Sequence, residues 1–272
     1  MPDILRVAAV QLNSGEDVAA NLATCARLVE QAARAGARLV VLPENFAFMG
    51  TEKAKRQLAE SLEGEPGPIR RALSHWAEAH SVHVVAGGWP LRSDNPARPY
   101  NGATLFSPEG RAVATYRKLH LFDVELPSGK QYRESEGVTP GSEVVCVDVD
   151  GFRVGLSICY DLRFPELYRT LVDRGAEVLC IPAAFTAETG RAHWEILCRA
   201  RAIESQCYVI APGQTGTHLG DRHTFGHSLL LDPWGSVLAS AAEGEAVLIG
   251  EVSRAELTAI RQRLPALRHR RL

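Results

Sequence analysis

GARLVVLP at residues 36–43 and GAEVLCIP at residues 175–182 follow one plan: a glycine where a helix ends, an unbroken apolar run of strand length, and a proline that stops it. Upstream of the first copy, residues 17–35 carry Val18, Leu22, Cys25, Val29 and Ala32 at alternating steps of four and three, which predicts one apolar helical face. Before that helix, RVAAVQL (6–12) reads as a buried strand. The second copy repeats the order, with RVGLSI (153–158), a helix from about Pro165 to Arg174, and then the strand. Strands this apolar are buried on both faces, and strand–helix–strand crossovers are right-handed by rule. The expectation is an α/β protein, a four-layer αββα sandwich with two central mixed sheets and helices outside.

Between the two units, HVVAGGWPL (83–91), NGATLFS (101–107) and RAVATYRK (111–118) read as a strand meander joined by Gly and Pro turns. Residues 119–141, LHLFDVELPSGKQYRESEGVTPG, are polar, irregular and long for a connection, which marks a functional loop. VVCVDV (144–149), a helix over 189–205, strands near 207–212, 225–231 and 246–252, and a helix over 253–263 complete the reading. Residues 1–272 are read as a single domain, with 264–272 a basic tail that is either a solvated end or a dock for a partner subunit.

At 272 residues, with 46% hydrophobic residues and a formal charge of −2, the chain can bury a large core but presents no basic field for nucleic acid. No segment has the roughly 18 uncharged apolar residues of a membrane span, and the first residues lack an export signal. Six cysteines, at 25, 146, 159, 180, 198 and 207, form no C-x-x-C pair. They read as reduced thiols of a cytoplasmic protein, with no metal site. The near-neutral charge favours a small-molecule partner, and the motifs that zincin, P-loop and dinucleotide readings require are missing.

Cys159 stands out because it ends a buried strand and is followed by YDLRFPEL, with Pro165 suited to a first helical turn. A strand-to-helix turn exposes a side chain beside free backbone N–H groups, which lower a thiol pKa and can hold an oxyanion. The other five cysteines lie in strand or helix patterns where cysteine is a small buried hydrophobe. Glu44 follows the first apolar strand at the sheet edge where α/β proteins place ligands, and its setting predicts a raised pKa and use as a base. Taken alone, Glu44 reads as a solvated loop carboxylate and Lys118 as a surface lysine. A Cys–His pair competes, since His120, His193, His223 and His227 are available, yet no spacing singles one out; His193 and His227 read as structural.

Together, LPEN with Glu44, YRKLHLF with Lys118 and GLSICYDLRFPEL with Cys159 resemble the nitrilase superfamily of carbon–nitrogen hydrolases. The similarity extends through RESEGVTPG, TGRAHWEILCRARAIESQCYVIA and GHSLLLDPWG. The resemblance implies an αββα fold that pairs into homodimers, with Cys159 as nucleophile, Glu44 as general base and Lys118 as the cation at the oxyanion. It further implies that Glu134 orients substrate and supports Lys118, that the Tyr160 N–H is the other oxyanion donor, and that the mechanism needs no cofactor.

Within the superfamily, YRKLHLFDVELPSG, RARAIESQCYV and GHSLLLDPWG look most like the deaminated glutathione amidase branch, with omega-amidases as neighbours. Both act on a 2-oxoglutaramyl-type acyl group, whose carboxylate would meet Arg163, with Phe185 and Thr189 lining the same pocket. Arg163 reads otherwise as a salt-bridge residue, and Phe185 and Thr189 as packing and capping. Ala183 and Arg191 depart from the branch pattern, and Arg191 is expected to narrow the pocket mouth or add an anion site. An N-carbamoyl amino-acid hydrolase and a catalytically silent scaffold stay open as alternatives.

Overall fold

The computed structural model describes residues 3–271. The chain begins β1 (Ile4–Gln11), α1 (Val18–Arg34), β2 (Leu39–Val41), α2 (Glu52–Gln57), α3 (Pro68–His80), β3 (His83–Leu91), β4 (Tyr100–Phe106) and β5 (Ala112–Arg117). It continues through β6 (Asp123–Glu125), β7 (Gln131–Arg133), β8 (Val145–Val149), β9 (Phe152–Leu156), α4 (Pro165–Asp173) and β10 (Val178–Cys180). After these come α5 (Ala187–Ser205), β11 (Tyr208–Ala211), β12 (Thr215–His218), β13 (Arg222–Phe225), β14 (Leu229–Leu231), β15 (Val237–Ser240), β16 (Ala246–Ser253) and α6 (Arg254–Arg263).

Two six-stranded mixed sheets form the centre, in the orders β16-β1-β2-β3-β4-β5 and β15-β14-β11-β10-β9-β8. Each has three parallel strands in the middle and antiparallel strands outside them: β1, β2 and β3 in one, β9, β10 and β11 in the other. The echo between residues 36–43 and 175–182 is thus an echo of position, since β2 and β10 are the middle strands of their parallel trios.

Alternation along β1 shows how the layers stack. Leu5, Val7 and Ala9 join β9, β10 and β11 in the core between the sheets, whereas Ala8 and Val10 pack with Cys25, Leu28 and Val29 of α1 and Leu73 and Trp76 of α3. On the other side, α4 and α5 bury Leu167, Leu171, Trp194 and Cys198 against the second sheet. The αββα sandwich expected from the sequence is therefore what the chain forms.

Some elements differ from their expected form. The loop 119–141 contains a short hairpin, β6 paired with β7, which stiffens a stretch read as irregular. The strand expected near 225–231 is two elements, broken at Gly226 and His227, both of positive φ, so that β13 pairs with β12 and β14 with β11. The helix α3 lies where the sequence reading assigned nothing, although Pro68 at its first turn and the buried set Ile69, Leu73, Trp76 and Ala77 carry a helical signature. The tail folds back on its own chain, with Gln206 Nε2 donating to the Leu264 carbonyl at 2.6 Å and Arg270 paired with Asp173 at 2.6 Å; Leu272 and the first two residues lie outside the described residues.

Gly87 lies at a close approach between the first sheet and the segment that follows β10. The register of β3 on β4 shifts between Ala86 and Trp89, and a Cβ on Gly87 would sit 2.2 Å from Pro182 Cβ of that segment and 2.3 Å from the Leu42 carbonyl oxygen. Backbone and a proline ring cannot yield, so Gly87→Ala is expected to cost about 1–3 kcal/mol and to lower Tm by several degrees. Thermal unfolding at wild-type Tm would mean that the two do not meet there.

Candidate active site

The first and second parallel trios end at one edge of the sandwich, and β2, β5 and β9 each deliver a charged or reactive residue just past their last strand position. Glu44 follows β2, Lys118 follows β5, and Cys159 comes three residues after β9. Lys118 is only 2% exposed and Glu44 4%, so neither is the solvated group that a lone reading suggests. Lys118 Nζ lies 3.0 Å from Glu44 Oε1 and 2.9 Å from Glu134 Oε2. Asn101 of β4 donates its amide to both carboxylates, at 2.9 Å to Glu44 and 3.1 Å to Glu134. The remaining oxygens are also filled: Glu44 Oε2 accepts from the Ala184 N–H at 3.0 Å, and Glu134 Oε2 from the Phe122 N–H at 2.7 Å.

Gly88 makes room for this arrangement. Its φ is +56, and a Cβ there would meet Glu44 Cγ at 2.5 Å. The absence of a side chain at Gly88 thus lets its backbone lie directly against Glu44.

Cys159 sits at the expected sharp turn, with a left-handed φ of +49, at the start of a 3-10 turn over Cys159–Arg163. Asp161 holds that turn. Fully buried, it accepts from the Ile158 N–H at 2.8 Å, the Tyr116 hydroxyl at 2.7 Å and the His120 N–H at 3.1 Å, and its Oδ1 lies 2.7 Å from His120 Nδ1. Tyr116, Leu119 and His120 flank Lys118, so one carboxylate ties the Cys159 turn to the Lys118 segment. His120 also stacks flat on Phe164, with ring centroids 3.7 Å apart. The Cys159 N–H is committed to the Pro182 carbonyl at 2.9 Å, while the Tyr160 N–H finds no backbone acceptor among the described residues.

Electrostatics here run against the sequence reading in two places. Burial by itself would push the Glu44 carboxyl up, but the ammoniums of Lys118 and Lys55 outweigh it, and Glu44 is held below the usual carboxylate range. Burial and the neighbouring Glu44 push the Cys159 thiol well above its ordinary value, more than Lys118 pulls it down. Although burial alone would lower it, Lys118 is raised well above its ordinary value by Glu134 and Glu44. The resting site therefore holds a neutral thiol, an ionised Glu44 and a charged Lys118. Neither Glu44 with a raised pKa nor Cys159 with a lowered one is found, because the sequence could not reveal that Lys118 would lie against Glu44, or that Cys159 would be buried beside the Glu44 carboxylate.

A cavity of about 230 Å³ opens above these groups. Glu44, Lys118, Glu134, Cys159, Tyr160, Phe185 and Thr189 all line it, which brings together seven of the eight residues singled out from the sequence. Thr189 also bonds, at 2.8 Å between hydroxyls, to Thr186, the N-cap of α5. Arg163 is the exception: its guanidinium lies over Phe185 at 5.1 Å and Tyr160 at 5.8 Å, with Nη1 3.3 Å from His193 Nδ1, and is not among the lining groups. No carboxylate pairs with it among the described residues. Arg191 lines a different cavity, with Trp194 and His227, so it does not narrow this mouth. No histidine lines the site; His120 is engaged by Asp161, and His227 by the Phe225 carbonyl at 2.6 Å. Among the described residues no cluster of metal-ligating side chains occurs. Asn101 and Asp161 hold the site together but were not singled out from the sequence, the first hidden inside a strand pattern and the second within the Cys159 motif.

The model of the family described as carbon-nitrogen hydrolase matches residues 6–262. A deaminated glutathione amidase of Synechocystis sp. is 47% identical over 266 residues, covering 97% of this chain and 97% of that protein. Among solved structures, the C. elegans NitFhit protein matches with a TM-score of 0.92 at 37% identity, over 99% of this chain and 65% of that one. Saccharomyces cerevisiae Nit3, a member of branch 10 of the nitrilase superfamily, matches with a TM-score of 0.90 at 32% identity, over 100% of this chain and 98% of that one.

The charge state of the site is directly measurable. The thiolate absorbance near 240 nm that disappears on Cys159→Ala should rise only above the ordinary thiol value of about 8.5. A Cys159 thiolate already present at neutral pH would contradict the assignment of a neutral resting thiol.

Proposed function

Because the chain belongs to the carbon–nitrogen hydrolase family, we propose that it is an amidase in which Cys159 forms a thioester with the acyl part of deaminated glutathione, giving 2-oxoglutarate and cysteinylglycine. The observation that carries this reading is the buried contact of Lys118 with both Glu44 and Glu134 at the foot of the Cys159 cavity.

In the proposed cycle, Glu44 takes the thiol proton as the sulfur bonds to the amide carbonyl carbon. The negative charge that moves to the carbonyl oxygen is met by Lys118 and the free Tyr160 N–H; losing one such donor typically costs about 3–4 kcal/mol. Collapse of the adduct breaks the C–N bond, and Glu44 returns its proton to the leaving nitrogen. Water then gives a proton to Glu44, attacks the thioester, and the thiolate recovers that proton as the C–S bond breaks. Glu134 acts as a positioning residue, holding Lys118 through both of its oxygens.

Phe185 and Thr189 are proposed to wall the acyl pocket, with Arg163, stacked over Phe185 and outside the lining, as the cation whose charge attracts the acyl carboxylate. Its lack of a carboxylate partner among the described residues favours that role over a salt bridge. The 47% identity with the deaminated glutathione amidase of Synechocystis favours deaminated glutathione over 2-oxoglutaramate, the omega-amidase substrate, and over N-carbamoyl amino acids. The filled hydrogen bonds of the Glu44–Lys118–Glu134 group speak against a silent scaffold.

We further read residues 1–272 as one domain, since both sheets contribute to one core, and the protein as a cytoplasmic homodimer. Exposed Ile203 on α5, packed against the Gly235 turn that follows exposed Trp234, supplies an apolar surface for pairing. All six cysteines are unpaired thiols, as suits a reducing compartment, and no described helix is long and apolar enough to cross a membrane.

Incubation with deaminated glutathione should release cysteinylglycine and 2-oxoglutarate. Cys159→Ala, Glu44→Gln and Lys118→Ala should each abolish turnover while Cys207→Ala retains it. Ammonia release from 2-oxoglutaramate with deaminated glutathione left intact would move the assignment to omega-amidase, and activity in Cys159→Ala would remove the mechanism.

A further inference from the structure

Beyond the Lys118 group, the cavity lining carries three cations, Lys55, Arg133 and Arg222, against one acid, Glu52. Three against one leaves the opening at +2, and none of the four forms an ion pair among the described residues. Lys55 acts on Glu44, whose ionisation it favours. Arg133 is exposed and donates to the Tyr132 carbonyl at 3.2 Å. Arg222 is different, being half-buried with its Nε shielded from solvent and bonded to nothing. A guanidinium on the cavity wall that has no acceptor among the described residues is open to a ligand that brings one.

Its placement is fixed by the fold. Arg222 opens β13, and two residues on, Thr224 bridges to Thr186, while the Phe225 N–H donates to the Phe185 carbonyl at 2.9 Å. On the other side, Lys130 Nζ, beside β7, reaches the Gly220 and Asp221 carbonyls at 3.4 Å each. The guanidinium itself lies 5.7 Å from the centre of the Tyr132 ring. Arg163 and Arg222 thus lie on different aromatic walls, Phe185 for one and Tyr132 for the other.

We infer that Arg222 is a specificity-determining residue that takes a carboxylate on the leaving group, so that the cavity selects amides with an anionic group on each side of the scissile bond. The inference rests on the amidase reading above and deepens it. Glu44 and Lys118 lie deep and handle the carbonyl, whereas Gln131 and Arg133, next to the Tyr132 wall, are exposed. A leaving group that extends outward from the carbonyl passes that wall. Cysteinylglycine carries a terminal carboxylate to reach Arg222; ammonia, the leaving group of 2-oxoglutaramate, carries none. The residue would therefore separate the two candidate substrates by their leaving groups and not by their common acyl part.

Calorimetric binding to the Cys159→Ala protein, using deaminated glutathione and its glycinamide analogue, tests this directly, because the two ligands differ only in that carboxylate. The acid should bind on the order of ten- to a hundredfold more tightly, as expected for a charge-assisted contact. Adding Arg222→Gln should erase the preference while leaving the neutral analogue's affinity unchanged. A preference that survives Arg222→Gln, an equal loss for both ligands, or no binding of either would overturn the inference. If the preference behaves as expected but the wild-type protein leaves deaminated glutathione unhydrolysed, the anion site stands and the assigned reaction falls.

Discussion

A single ammonium placed between two carboxylates, out of reach of solvent, is the constraint that the rest of the site obeys. Removing ions from water costs several kcal/mol each, and mutual attraction repays this only when the remaining lone pairs are also filled. Here they are filled by Asn101, by the Ala184 N–H and by the Phe122 N–H. These partners come from β4, from the segment after β10 and from the loop after β5, so the cluster cannot form until both sheets are in place. One cation beside two carboxylates leaves an excess negative charge, which keeps Lys118 protonated and opposes a further anion at Cys159.

That opposition has a mechanistic use. In the resting site, Glu44 and Lys118 neutralise one another and the thiol stays neutral. In the proposed cycle, when Glu44 accepts the thiol proton, Lys118 loses a charged partner at the moment when a substrate oxygen begins to acquire charge. The ammonium can then turn its attraction to that oxygen without moving far, so the field that disfavours a free thiolate favours the tetrahedral adduct. Asp161 makes this workable by tying the left-handed Cys159 turn to the segment that carries Lys118, so that sulfur and ammonium keep their separation.

The layers were legible in the sequence because burial writes a simple pattern. The matching runs at 36–43 and 175–182 became equivalent central strands, and the turn at Cys159 followed from a strand running into a helix-starting Pro165. What stayed hidden depends on contacts between distant segments. Asn101 looks like any polar residue in a strand until β4 brings it between Glu44 and Glu134. The pKa directions differ from the local expectation because local context shows Glu44 neither the lysine 74 residues away nor its place beside a buried Cys159, whose thiol burial and the Glu44 carboxylate push up. Arg163 was placed by its motif, and only its stacking over Phe185 sets it behind the lining; Arg222, in a hairpin with no distinctive pattern, gave no signal at all.

The covalent bond proposed at Cys159 is the most direct check on this chemistry. Wild-type protein mixed with deaminated glutathione and quenched in acid during turnover should contain a fraction heavier by one 2-oxoglutaryl group, with peptide mapping locating it at residue 159. Full turnover with no adduct under any quench time, or an adduct on another residue, would contradict a mechanism built on the Glu44–Lys118–Cys159 cluster.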